Sequence, residues 1–154
     1  MRISAKADYA VRAAAELAAA SSPVRRPVKG EQLAAAQGIP PRFLENILSD
    51  LRNAGLLQTR RGAEGGYALT RAPSEISVAE VLRAVEGPLA AVQGSRPEGL
   101  HYRGAAARLP EVWVALRANV RAVLEGVSLA DLAAGTLPES VTRLTTTADA
   151  WQPH

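Results

Sequence analysis

Apolar residues recur at helical spacing along most of the chain, and proline and glycine mark the breaks between the repeats. From Ile3 to Ala20 the apolar positions are Ile3, Ala7, Ala10, Val11, Ala14, Leu17 and Ala18, with Arg2, Lys6, Arg12 and Glu16 off that stripe. This spacing predicts a first helix, stopped by Ser21, Ser22 and Pro23. Residues 24–28 (VRRPV) read as a loop or an edge strand, because Pro27 has no N–H to give to a central one. Lys29 to Gln37 predicts a short second helix with Leu33, Ala34 and Ala36 facing inward and Gly38 as its stop. Pro40 and Pro41 open a third helix, Pro41 to Asn53, where a missing N–H is harmless. Its core side is Phe43, Leu44, Ile47, Leu48 and Leu51, while Arg42, Glu45, Asn46, Ser49 and Arg52 lie off that stripe.

After Gly55 the period changes. Two short strands, Leu56–Thr59 and Tyr67–Thr70, flank Gly62, Gly65 and Gly66, which supply the positive φ angles of a hairpin turn. Helix, glycine turn, helix and then a hairpin is the layout of a winged helix-turn-helix. Glu75 to Glu86 predicts a fourth helix, with Ser77 and Glu80 spaced as a capping box and Val78, Val81, Leu82 and Val85 as its stripe. Leu89 to Arg108 is irregular and too long for a bare connector, so it is either functional or disordered. Leu109 to Glu125 is the next long helix, with a seam of Leu109, Trp113, Leu116, Val120 and Val123. Ser128 and Asp131 cap a short helix, Leu129 to Ala134, and from Thr136 the chain is polar and aperiodic, read as a disordered tail. The expected organisation is a DNA-binding region over 1–72, a linker helix, loop and long helix over 73–135, and a tail over 136–154. The fold class is mainly α with a small β-hairpin.

Composition narrows the chemistry. The chain has no cysteine, which excludes disulfides, thiol catalysis and thiolate-held metal or iron–sulfur sites. Its two histidines, His101 and His154, give no set for a metal within one chain. No apolar run reaches the roughly 18 residues of a membrane span, and Asp8, Arg12 and Glu16 break the N-terminal stretch as a signal segment. A cytoplasmic protein without a membrane partner is expected. No nucleophile–base set or phosphate loop is present, and GAEGG sits between strands rather than at a helix N-terminus, so an enzyme is not expected. Charge is uneven: residues 1–72 hold 11 basic against 6 acidic side chains, a net of +5, and residues 73–154 hold 7 against 9, a net of −2, which together give the chain's +3. A basic first half and an acidic second half suit a DNA-reading half joined to an assembly half.

Four motifs in one order carry a resemblance. MRISAKADYAVRAAAELA, LAAAQGIPPRFLENILSDLRNAGLL, RRGAEGGYALTR and EISVAEVLRAVEG resemble the opening helix, the helix-turn-helix, the RGxxGGYxL wing and the following helix of the Rrf-two family of bacterial winged-helix regulators, the IscR, NsrR and CymR type. The resemblance covers about residues 1–135. It implies a homodimer, joined through the long helix, that binds double-stranded DNA and represses transcription from a palindromic promoter site. Many members hold an iron–sulfur cluster through three cysteines in the loop before the long helix. That loop here, Leu89 to Arg108, has none, so the resemblance is to a cluster-free branch with no cofactor. A second departure is Glu64, a carboxylate where the wing often has glycine. It repels phosphate unless it pairs with Arg60 or Arg61 or accepts from a cytosine amine.

Site candidates follow from this layout. Arg42, Glu45 and Asn46 occupy the first turns of the third helix, and can address guanine, cytosine and adenine respectively, with Ser49 and Arg52 further along the same face. Arg61 is the minor-groove candidate, with Gly62, Gly65, Gly66 and Tyr67 shaping the wing around it. Lys6, Arg25, Arg26, Lys29, Arg52 and Arg60 are phosphate candidates, although each alone is also an ordinary surface charge. The seam from Leu109 to Val123 can pack against a second copy or within one chain, and Trp113 is a core or interface anchor. His101, Tyr102 and Arg103 mark a loop open to a small-molecule effector, a protein partner or plain packing.

Overall fold

The computed structural model describes residues 2–153; Met1, which begins the N-terminal motif, and the second histidine, His154, lie outside the described residues. Helix α1 (Ala5–Ala19) is central, packed against α2 (Gly30–Gln37), α3 (Pro41–Asn53), α4 (Val78–Glu86) and α6 (Leu129–Ala134). Its buried face is Ala7, Ala10, Ala13, Ala14, Leu17 and Ala18. Small side chains let neighbouring helices approach closely on several sides, and larger residues on those helices fill the space. Ser4 caps the helix by accepting from the Ala7 N–H at 3.0 Å. Ile3 therefore precedes the helix and is 70% exposed, contrary to its place in the expected stripe.

Helix α3 has no side-chain N-cap, since Pro40 occupies that position. Burial holds it instead: Leu44, Ile47, Leu48 and Leu51 are all in the core, each contributing about 1.5–3 kcal/mol as an upper bound. Phe43 departs from the expected core side. It lies on the flank of the stripe, 42% exposed, edge-on to Tyr9 with ring centroids 5.6 Å apart. Ala36 of α2 is exposed as well, because only Leu33 and Ala34 of that short helix face the core. Gly38 ends α2 in the left-handed conformation, as expected.

Strands β1 (Leu57–Arg60) and β2 (Gly66–Leu69) pair antiparallel, with Leu57 opposite Leu69 and Arg60 opposite Gly66. Val28 adds a third rung, exchanging two backbone hydrogen bonds of 2.8 Å with Tyr67. The hairpin is thus tied to the segment that leads into α2. A turn at Pro73–Glu75 precedes α4, which starts at Val78 rather than Glu75, capped by Ser77 and Glu80.

The long helix α5 (Leu109–Glu125) leaves this core, and the chain then returns to it. Val78 N–H donates to the Val127 carbonyl and Leu129 N–H to the Ile76 carbonyl, both at 2.9 Å. The Ser128–Asp131 cap forms at this junction, opposite the Ser77–Glu80 cap. One hydrophobic cluster runs from α1, α2 and α3 through Ile76, Val81 and Val85 to Leu129, so the core is continuous across residue 72. Residues 136–153 carry short helical turns, Glu139–Thr142 (α7), Arg143–Thr145 and Ala148–Trp151, where the sequence is aperiodic. They are mostly exposed, with Val141 packed against the cluster of Ala7, Val78, Leu82 and Val127.

Candidate nucleic-acid interface

Residues three and four apart share a helix face. Arg42, Glu45, Asn46, Ser49 and Arg52 therefore form one polar face of α3, opposite its buried leucines. Arg42, Glu45, Asn46 and Arg52 are exposed and Ser49 is half-buried. Among the described residues, Arg42, Glu45 and Arg52 form no ion pair. A cleft of about 370 Å³ opens between the starts of α2 and α3 and the wing, lined by Lys29, Glu31, Pro41, Glu45, Leu48 and Tyr67. Tyr67 is half-buried on its wall, so it is a packing residue as much as a surface one.

The wing glycines have distinct physical reasons. Gly62 has φ 103° and Gly66 has φ 146°, as expected for the turn. Gly65 does not have positive φ; it is required for space, since a Cβ there would lie 2.3 Å from the Arg60 carbonyl oxygen. A Cβ on Gly66 would lie 2.4 Å from the Val28 carbonyl oxygen, where the third rung crosses. The GG pair thus fixes the wing's own fold and its attachment. Arg60, Arg61 and Glu64 are all exposed at its tip. Among the described residues, Glu64 makes no salt bridge, so the expected pairing with Arg60 or Arg61 is not seen within the chain.

Other candidates divide. Lys29 occupies the N-cap position of α2, where its backbone N–H donates to Gln32, and its side chain is exposed, as is that of Arg26. Arg25 donates to the Thr70 carbonyl at 3.1 Å, bracing the base of the wing. Lys6 departs from the phosphate expectation: its ammonium pairs with Asp50 at 2.8 Å and donates to the Val85 carbonyl at 2.9 Å, clasping α1 to α3 and α4. Sequence spacing did not reveal a second clasp, in which Arg12 pairs with Asp8, lies over the Tyr9 ring and donates to Gln37, which in turn donates to Glu16. These partners are 21 and 25 residues apart, beyond any helical period.

The expected seam on α5 splits into two. Leu109, Trp113, Val120 and Val123 are half-buried, with Trp113 Nε1 shielded from solvent and without a hydrogen-bond partner among the described residues. Leu116 lies on a neighbouring stripe with Val112; they are 39% and 55% exposed. The 89–108 loop folds onto α5, burying Pro97. His101 and Arg103 are exposed and Tyr102 half-buried, and none of the three joins the clefts described here. No described helix is long and apolar enough to cross a membrane.

A family model described as Rrf2, iron-dependent transcriptional regulator, matches residues 3–135. The chain is 54% identical over 144 residues to an HTH-type transcriptional regulator of Mycobacterium tuberculosis, covering 94% of this chain and 88% of that one. It is 35% identical over 136 residues to the HTH-type transcriptional regulator CymR of Bacillus subtilis, covering 88% and 92%. Among solved structures, CymR, the global cysteine regulator of B. subtilis, superposes with a TM-score of 0.73 at 34% identity, covering 88% of this chain and 98% of that one. T. potens IscR superposes at 0.71 with 30% identity, covering 88% of each. The family description implies iron, but the residues here do not fit it. The chain has no cysteine, and the 89–108 loop offers only Glu98, already paired with Arg117, and His101. Among the described residues no group of three or more His, Asp or Glu is placed to hold a metal.

Proposed function

The chain belongs to the Rrf2 family of transcriptional regulators, and from that premise we propose that it binds DNA sequence-specifically, as a cytoplasmic homodimer that represses by occupying a palindromic promoter site. Its relatives are transcriptional regulators, not enzymes. The observation that carries the reading is the free polar face of α3 beside an arginine-tipped wing. In the major groove Arg42 forks onto guanine, Asn46 onto adenine, and Glu45 accepts from a cytosine amine. Arg61 enters the minor groove, and Lys29, Arg52 and Arg60 neutralise phosphates. Glu64, without a salt bridge among the described residues, either meets a cytosine amine or weakens the wing's hold. Val112 and Leu116 supply the apolar contact to the second copy, which brings a second α3 and wing to the other half-site. A second reading, output set by a protein partner or a small molecule at the 89–108 loop, draws support from the close packing of that loop on α5.

The test is selection of sheared genomic DNA by the purified protein. Enrichment of one inverted repeat is expected. Recovered fragments sharing no sequence overturn the reading.

A further inference from the structure

A second concentration of positive charge lies away from α3 and the wing, where the 87–98 segment meets α5. Arg83 comes from the last turn of α4, Arg117 and Arg121 from one face of α5, and Arg96 from the loop. With Glu98 they line a cleft of about 490 Å³ over Leu89. Two carboxylates hold the cluster. Glu125 takes both Arg83 and Arg121, the latter at 3.0 Å, and Glu98 takes Arg117 at 2.6 Å. Four guanidiniums against two carboxylates leave a net charge of +2 in the cleft. Arg96 forms no ion pair among the described residues, and Arg83 and Arg121 share one carboxylate. A guanidinium offers five N–H donors in a rigid fork, so many donors remain for another oxyanion. This is more than a solvated helix face: the side chain of Arg117 is only 21% exposed, and the four arginines converge from three separate elements.

We propose that this cleft binds a small polyanion carrying two or more carboxylate or phosphate groups. The ligand competes with Glu98 and Glu125 for the arginines they now hold, its several anionic groups engaging more than one guanidinium at once. Because the Arg83–Glu125 pair ties α4 to α5, occupancy loosens the joint between the winged core and the long helix. That regulatory consequence rests on the DNA-binding reading; the binding site itself does not.

Calorimetric titration of the full chain at fixed ionic strength tests it, with citrate as the polycarboxylate probe and inorganic pyrophosphate as the phosphate probe. Saturable binding of either, at one site per chain, is expected, and the probe that binds identifies the ligand class. Arg96→Glu breaks no ion pair and should weaken binding by at least about tenfold. Arg121→Gln should do the same, whereas Arg143→Glu, in the C-terminal segment, should leave affinity unchanged. No saturable heat with either probe, or an unaltered affinity in Arg96→Glu, overturns the proposal. The assay contains no DNA, so a failed operator reading and a failed anion site give separate results.

Discussion

Helices α3 and α5 are both amphipathic, and they leave opposite faces open. In α3 the apolar face is closed within the chain: Leu44, Ile47, Leu48 and Leu51 are at most 1% exposed, and the charged face remains outside. In α5 no residue is fully buried, and Val112 and Leu116 face solvent. An apolar stripe establishes that a helix has two faces; only the packing establishes which face is left for another molecule. A helix with a satisfied apolar side calls for a polar partner, and one with an unsatisfied apolar side calls for an apolar partner. One chain thus leaves two open faces of different chemistry.

The largest effect should come from breaking the α5 side. Val112→Asp with Leu116→Asp should turn dimers into monomers by light scattering and lower operator affinity by about 100-fold or more, since the second half-site is lost. A double variant that stays dimeric would move the interface elsewhere on the chain. Next is the wing's foundation. Gly66→Ala places a methyl against the Val28 carbonyl at positive φ, and should cost about 2–4 kcal/mol in urea unfolding. Gly99→Ala, with open space around it, should change stability by no more than about 0.5 kcal/mol. Equal losses in the two variants would refute the steric account of the GG pair. Arg61→Ala leaves the fold intact and should weaken operator binding by about tenfold, with the salt slope reduced by about one.

The smallest effect concerns the junction where the chain returns from α5. The Ser128 N–H and hydroxyl hold the Asp131 carboxyl below its ordinary value of 3.8. Burial pushes the Glu80 carboxyl up, but hydrogen bonds from Arg71 and Ser77 outweigh it and hold it below 4.5. A carboxyl depressed in the folded state stabilises fully above its unfolded pKa, and that contribution is lost as pH falls through the folded value. Ser128→Ala should cost about 1 kcal/mol at neutral pH. The difference in urea stability between wild type and Asp131→Asn should close as pH drops below about 4; a gap that persists at pH 2 would mean the carboxylate's charge is not what matters.

Local features were legible in the sequence. The helix bounds near Gly38, Asn53 and Glu125, the Ser77–Glu80 and Ser128–Asp131 caps and the hairpin all follow from short-range spacing. Long-range contacts were not. Nothing in the sequence near Lys6 indicates Asp50, and nothing near Arg12 indicates Gln37. Phe43 has the hydrophobicity of a core residue but lies at the flank of its helix, where Tyr9 covers only one edge. The place of Gly65 in the turn predicts a positive φ, but the residue is needed for space. Spacing predicts one stripe on α5, because it cannot show that Trp113 and Val120 are half-buried while Leu116 is left exposed. The polar face of α3 was legible because it is the complement of a well-marked apolar one.

That face is the centre of the account, and base preference tests it directly. In a binding-site selection, Arg42→Ala should lose discrimination at one position in each half-site, by about 1–3 kcal/mol, with the other positions unchanged. A variant that selects the same bases as wild type at every position would show that α3 does not read DNA through Arg42.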